Sequence, residues 1–528
     1  MKKSPQLLLF LFACVISAGV LFSFRTSQVK VAAKRPNILF AIADDQSYPH
    51  AGAYGSKLFQ TPTFDAIAQQ GVLFTNAFVA APQCSPSRAA LLTGRNIWQL
   101  EEAGTHSSYF PNKYPVFTDA LEMVGYFRGY TGKPWGPGNW EDSGWKQNPV
   151  GPEYNQKKHK VPYTGINKTD YVGNFKTFME ARPSEKPFFF WFGAQEPHRV
   201  YEYGSGTMNG LTKKDIILPP FLPDTDSIRQ DFLDYALEIA WFDQQLAKMV
   251  QILKDAGEWE NTIVVVTADN GMPFPYAKAN LQEYGTHVPL AICGPGIKGN
   301  RVSDDLVSLI DLAPTFMEFG QTTPFSAMSA KSLMPILNSL KSGLIDPDRK
   351  IVLTGRERHT HARPDNLGYP ARAIRTADYL FIQNFKPDRW PLGDPPPANP
   401  AAIAENGKDL KAIVFGYEDI DDSPSKEVMI HGRTQWPDLF QIGFQKRPAQ
   451  ELYDIRKDPG CLHNLAGQKQ YTTVRKKMAE MLSQQLVAQG DPRTGKNGDV
   501  FDSYPRFGKM RSFDGFKERE AYNPAYQK

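Results

Sequence analysis

Three largely apolar runs constrain the fold most. Pro36-Asn37-Ile38-Leu39-Phe40-Ala41-Ile42-Ala43 ends in Asp44-Asp45, and Thr262-Ile263-Val264-Val265-Val266-Thr267 ends at Asp269-Asn270-Gly271. Pro187-Phe188-Phe189-Phe190-Trp191-Phe192 is followed by Gln195-Glu196-Pro197-His198-Arg199. Runs of this length without polar alternation fit central strands buried on both faces. Helical patterns lie between them. The clearest runs from about Ile228 to Ala256, where Ile239, Phe242, Leu246, Met249 and Leu253 recur at three- and four-residue steps. Strands alternating with helices predict an α/β fold, a large, mostly parallel sheet with helices on both faces. Ligands of such sheets gather beyond the carboxyl ends of the strands. The two acidic clusters stand there.

The 528 residues suffice for more than one core, and 41% hydrophobic content is that of a globular chain. The net charge is +4, diffuse and without a long basic run, which argues against a nucleic-acid partner. Lys2 and Lys3 precede an apolar run from Leu7 to Phe24, the layout of an export signal. Three outcomes are open. Cys14 in Leu11-Phe12-Ala13-Cys14, which resembles a bacterial lipobox, can be lipidated; cleavage after Ala33 would give a soluble exported protein; or the run stays as a membrane anchor. The protein is therefore expected to be periplasmic, membrane-attached or secreted. Of the other cysteines, Cys84 belongs to the motif below, while Cys293 and Cys461 either pair or remain two free buried thiols. From about Ala373, short strand-like runs such as Tyr379-Leu380-Phe381-Ile382 alternate with Pro-rich loops. Glu451-Leu452-Tyr453-Asp454 then precedes a helix to about Gln489.

Cys84 opens the string Cys84-Ser85-Pro86-Ser87-Arg88-Ala89-Ala90-Leu91-Leu92-Thr93-Gly94-Arg95. This is similar to the signature of the type I sulfatases, C-x-P-S-R-x-x-x-[LM]-T-G-R. The resemblance implies that a maturation enzyme converts Cys84 to formylglycine, an aldehyde. One hydroxyl of its hydrate attacks sulfur and the other later expels sulfate, which a thiol could not do. It also implies the alkaline-phosphatase-like sulfatase fold. After a leader over residues 1–33, the catalytic domain would span 34–372. A small C-terminal domain, an antiparallel sheet with a closing helix, would span 373–490, and an extension 491–528.

Asp44, Asp45, Asp269 and Asn270 offer only oxygen donors, which suit Ca²⁺ or Mg²⁺ rather than zinc. The resemblance assigns one Ca²⁺, in preference to Mg²⁺, to these four and modified Cys84. Its task would be to draw charge from the sulfate oxygens and align the nucleophile. Arg88 lies one helical turn after Cys84 and can face the same pocket; the family uses it to hold the formylglycine hydroxyl and the ligand carboxylates. Lys133, in Thr131-Gly132-Lys133-Pro134-Trp135-Gly136, matches the sulfate-binding lysine of the family's Gly-Lys-x-His. Trp135 replaces the histidine, leaving open which base drives sulfate elimination; His106 is the nearest upstream histidine. His198 matches the family's Pro-His and is assigned to sulfate contact and to protonating the leaving group. Lys278, nine residues after Asp269, matches a second cationic sulfate ligand. Fixed cations in a dry pocket stabilise the charge that spreads over a transferring sulfuryl group. Arg95 is expected to support the loop.

Within the family, Asp269-Asn270-Gly271-Met272-Pro273-Phe274-Pro275 with Lys278-Ala279-Asn280-Leu281 resembles the heparan N-sulfatases. Gln195-Glu196-Pro197-His198-Arg199 and Tyr369-Pro370-Ala371-Arg372-Ala373-Ile374-Arg375 are also similar to theirs. These pieces imply a sulfated glycan as substrate, with cleavage of the N-sulfate of glucosamine in heparan-type chains. An O-sulfatase acting on another sulfated polysaccharide is the alternative. From a different class, so is a non-catalytic glycan-binding protein. Substrate contacts beyond the sulfate are expected from loops, with Glu357, His359 and His287 as candidates.

Overall fold

The computed structural model describes residues 35–395 and 416–507. The expected leader, with Cys14, and the chain after Phe507 lie outside them. The large sheet contains β1 (Asn37–Ala43), β2 (Val72–Phe78), β3 (Phe127–Gly132), β4 (Phe188–Gly193), β5 (Thr262–Ala268), β6 (His287–Cys293), β7 (Arg301–Ser303) and β8 (Val307–Ser308). Its order is β3-β4-β1-β5-β6-β2-β7, with β8 beside β2. Among the described strands of this sheet, only β6 runs against its neighbours, β5 and β2. The three apolar runs are β1, β4 and β5, adjacent, parallel and buried at every position.

Side-chain alternation explains why helices cover both faces. Phe40 pairs with Trp191, and Ile38 with Phe189, so Phe40, Phe189 and Trp191 share a face. Phe316 of the helix Leu312–Phe319 packs there, 5.4 Å from Phe40 and 5.7 Å from Phe189. Phe192 pairs with Ala41 on the opposite face and meets Phe242, 5.4 Å away, on the helix Asp226–Asp255. Thr225 caps that helix by accepting from the Ile228 amide. Burying each such aromatic stabilises the fold by roughly 1.5–3 kcal/mol.

A second sheet, of order β12-β11-β10-β9, is antiparallel throughout. It comprises β9 (Val352–Arg356), β10 (Ala371–Arg375), β11 (Tyr379–Asn384) and β12 (Gln450–Asp454). The helix Thr472–Ala488 closes it and buries Met478, Leu482 and Leu486. The expected domain boundary at 372/373 falls inside β10, and β9 joins this sheet from before it. Ile374, Phe381 and Leu452 belong to the same apolar core as β1 and β5. The two sheets therefore share one core, with the small antiparallel sheet set apart in the C-terminal region. Cys293 and Cys461 are both buried and free. Among the described residues no helix is long and apolar enough to cross a membrane.

Candidate active site

Parallel register brings the two acidic clusters together. Ala43 pairs with Ala268, so the residues after them leave the sheet side by side. The Asp269 amide donates to the Ala43 carbonyl at 3.0 Å and the Asp45 amide to Asp269 Oδ1 at 3.2 Å. Asn270 Nδ2 donates to Asp45 Oδ1 at 2.7 Å. Asp45 takes the left-handed φ of 77° in this turn, uncommon for a residue with a side chain. Cys84 begins the helix Cys84–Thr93, and its Sγ lies 3.2 Å from Asp44 Oδ1 and 4.0 Å from Asp45 Oδ1. One side-chain atom each from Asp44, Asp45, Cys84 and Asp269 lie within 4.8 Å of one another, all buried.

The oxygen donors here, from Asp44, Asp45, Asp269 and Asn270, fit a hard divalent cation, which the Cys84 sulfur itself does not. Asn270 Oδ1 is buried with no hydrogen-bond partner among the described residues, as a ligand oxygen would be. Burial, reinforced by Asp44, lifts the Asp269 carboxyl to about 6, the mark of crowded negative charge. Burial and Asp44 also push the Cys84 thiol well above its usual range, so the unmodified sulfur is not a thiolate. Burial raises Asp44 too, but Lys133, His198, Arg88 and Lys278 outweigh it and hold that carboxyl below its usual range.

Cations ring the carboxylates. Arg88 Nε meets Asp269 Oδ2 at 2.7 Å, and its Nη1 donates to the Lys133 carbonyl at 2.7 Å and the Pro134 carbonyl at 3.1 Å. Its Nη2 is buried without a partner among the described residues, a donor available to a group at position 84. Lys133 Nζ is ion-paired with Asp44. Lys278 Nζ meets Asp45 Oδ2 at 2.6 Å and Asp421 Oδ2 at 3.1 Å. Burial disfavours both ammonium charges, but Asp44 for Lys133, and Asp421 and Asp45 for Lys278, more than restore them. His198 Nε2 stands 3.9 Å from Asp45 Oδ2. Its side chain is 34% exposed against 5% for Lys278, so the pocket opens on the His198 side. His198 Nδ1 faces the Arg199 carbonyl at 2.7 Å. Arg199 is fixed by a bidentate pair with Asp231 at 2.6 and 2.8 Å.

Other expectations change. Trp135 is buried; its indole N–H donates to the Ser85 carbonyl at 3.1 Å, bracing the start of the Cys84 helix. His106 is buried, its Nδ1 3.1 Å from the His359 carbonyl. It is joined to the motif through the Ser107 amide, which donates to Ser85 Oγ. Glu357, expected as a loop contact for substrate, has no open surface. It is fully buried between Arg372 at 2.8 Å and Arg493 at 2.7 Å, and these ion pairs consume both oxygens. His359 is buried too, its ring edge-on to His106 and its Nδ1 3.3 Å from the Asp419 carbonyl. His287 lies between Glu283 and the Thr75 carbonyl and stacks on Tyr48. Arg95 packs over Tyr114, as a supporting residue would. Sequence reasoning missed Asp421, grouped with Asp45 and His198 and paired to Lys278. No local spacing connects it to the motifs.

The Sulfatase family model matches residues 36–321, more than half of the chain. The chain belongs to that family: it is a type I sulfatase. It is 26% identical to human N-sulphoglucosamine sulphohydrolase over 508 residues, covering 86% of this chain and 90% of that one. An ulvan-active sulfatase of Formosa agariphila is 25% identical, with 87% and 81% covered. Human N-acetylglucosamine-6-sulfatase is 29% identical, with 63% and 68% covered. Among solved structures, one in complex with its substrate D-glucosamine-2-N,6-O-disulfate matches at a TM-score of 0.62 and 18% identity, over 88% of this chain and all of the other. The phosphonate monoester hydrolase of Agrobacterium radiobacter matches at 0.60 and 18%, over 87% and 97%. These structural likenesses establish the fold alone.

Proposed function

We propose that this sulfatase is exported, uses formylglycine at position 84 and one Ca²⁺, and releases the N-sulfate of glucosamine from heparan-type chains. The family and its relatives support the broader part of this reading, hydrolysis of sulfate esters or sulfamates on glycans. One observation carries the mechanism: Cys84 Sγ lies 3.2 Å from Asp44 Oδ1, inside a buried ring of Arg88, Lys133 and Lys278. Formylglycine, made by a maturation enzyme, would supply a hydrated aldehyde as nucleophile. Asp44, Asp45, Asp269, Asn270 and position 84 would hold Ca²⁺, which would supply Lewis acidity and offset the crowded carboxylates.

The remaining roles follow from the side chains. Lys133 on Asp44 and Lys278 on Asp45 place two ammonium groups within reach of a sulfate bound at position 84. Arg88 locks Asp269 and the Lys133 backbone in place and keeps one free donor. A carbonyl can only accept, so His198 Nδ1 keeps its proton against Arg199 and Nε2 is the atom that exchanges one with the leaving nitrogen. Lys2, Lys3 and the apolar run from Leu7 to Phe24 support export, and so does chemistry directed at an extracellular polymer.

Mass spectrometry of the Cys84 peptide tests maturation, with formylglycine expected. Sulfate release from N-sulfoglucosamine should exceed that from glucosamine-6-O-sulfate. The second reading, a 6-O-sulfatase, draws on the 29% identity to N-acetylglucosamine-6-sulfatase. The reverse preference would establish it. Glycan binding without turnover by fully formylated protein would point instead to a binding protein.

A further inference from the structure

The chain's positive charge is not spread evenly. Residues 154–169 carry Lys157, Lys158, Lys160 and Lys168 with His159, and no Asp or Glu. That is as many lysines as the net charge of the entire chain, +4. Lys157-Lys158-His159-Lys160 is a short basic run, and the fold brings Lys168 beside it. The segment doubles back as a short antiparallel ribbon. The His159 amide donates to the Lys168 carbonyl at 2.9 Å, the Asp170 amide to the Lys157 carbonyl at 3.0 Å, and Lys158 bridges Thr169. All four lysines are exposed. Lys158 Nζ donates to the Thr169 hydroxyl at 2.9 Å, and none of the four is ion-paired to a carboxylate among the described residues. Glu153 and Asp170 flank the segment, but their carboxylates take the Tyr130 hydroxyl and the Gly173 amide rather than a lysine. Like charges grouped without a paired carboxylate are unfavourable in the free protein, so an external polyanion is the natural complement.

The anchoring of the ribbon says which polyanion. Asn155, at its base, accepts the Gly132 amide at 2.7 Å and returns a bond to the Gly132 carbonyl at 3.1 Å. Gly132 directly precedes Lys133. At the other strand, the Asn167 amide donates to Glu196 Oε1 at 2.9 Å, and Asn167 Nδ2 bonds Gln195 Oε1. Pro197 and His198 follow at once. The basic ribbon is thus tied to the carboxyl ends of β3 and β4, the strand ends that deliver Lys133 and His198, on the side where the pocket opens. We infer that Lys157, Lys158, Lys160 and Lys168 form an anion track that holds the sulfated polysaccharide beyond the sugar being cleaved. The inference rests on the proposed glycan sulfatase activity and deepens it: the enzyme is built for polymer as well as for a chain end.

The test uses the matured full chain, with Lys157, Lys158, Lys160 and Lys168 all changed to Ala. Sulfate release is measured from N-sulfoglucosamine monosaccharide and from heparin, across a range of NaCl. For heparin, KM should rise about tenfold in the variant at low salt, with kcat little changed, and the difference should shrink as salt screens the track. For the monosaccharide, KM and kcat should stay within about twofold. Equal changes on both substrates, or no change on heparin, would overturn the track. Retention on immobilised heparin is measured in parallel, with duplex DNA as control. If wild type releases no sulfate from either substrate, the functional reading fails, and the column alone decides the track. Weaker heparin retention by the variant supports it, whereas unchanged retention, or equal loss on DNA, overturns a glycan-specific surface.

Discussion

Of the buried groups of charge among the described residues, two differ sharply in how completely they are paired. At the carboxyl ends of β1 and β5, Asp44, Asp45 and Asp269 are met by Lys133, Lys278 and Arg88, yet Asn270 Oδ1 and Arg88 Nη2 remain buried without partners. Beside the small sheet, Glu357 is shared by Arg372 and Arg493, and Arg372 also forks onto Asp491 at 2.7 and 3.2 Å. Glu357 and Arg372 have no exposed side-chain surface. The first cluster keeps unused bonding capacity and one partly exposed residue, His198. The second is closed. An unsatisfied buried group is expensive in a purely structural cluster, so the unused capacity of Asn270 Oδ1 and Arg88 Nη2 accords with the proposed Ca²⁺ and sulfate.

Substitutions should split the two clusters cleanly. Cys84→Ala removes the proposed nucleophile and should lower sulfate release by up to about 10⁶-fold, with the urea midpoint little changed. Turnover near wild type would remove position 84 from the chemistry. Lys278→Ala should lower kcat by roughly 10²–10³. Glu357→Ala should behave in the opposite way. Leaving Arg493 and Arg372 short of a buried counter-charge should lower unfolding stability by about 3–5 kcal/mol, while kcat/KM of the protein still folded in the cold stays near wild type. A large loss of kcat/KM there, without loss of stability, would return Glu357 to the substrate site.

Metal removal sharpens the same contrast. Dialysis against a Ca²⁺ chelator should abolish turnover and Ca²⁺ should restore it. In calorimetry, added Ca²⁺ should stabilise wild type by mass action. The gain should vanish in Asp269→Ala and persist in Glu357→Ala. Stabilisation of both variants alike would place the cation elsewhere.

The difference between the clusters also explains what the sequence reveals. β1, β4 and β5 are legible because strands buried on both faces must be apolar throughout, and their acidic ends are contiguous with them. Cys84 and Arg88 are legible because one helical turn sets their spacing. Glu357, Arg372, Asp491 and Arg493 carry no such local sign: they meet only because β9 and β10 pair and the chain after Gly490 returns to them. β2 is obscured by Thr75-Asn76, where its register with β6 shifts. Asp421 reaches Lys278 from a segment far along the chain. Glu357 lies in the loop after β9, and its burial is hidden in the sequence because an isolated carboxylate gives no hint of two arginines waiting beside it.

The smallest effect concerns a third ion pair, between the two sheets. Glu283, just before β6, meets Arg375 at the end of β10 at 2.7 Å and His287 at 3.3 Å. Burial pushes this carboxyl up, but Arg375 and then His287 outweigh it and hold it down to about 2. A carboxylate depressed on folding contributes stability above its unfolded value, near 4.3, and loses it as pH falls through the folded value. The contribution, on the order of 3 kcal/mol, should therefore be present at pH 5 and mostly gone by pH 2. In Glu283→Gln, unfolding free energy should be lower at pH 5 and fall less steeply between pH 4.5 and 2. Parallel curves for wild type and variant across that interval would show that this bridge, like a surface pair, adds nothing to the joining of the sheets.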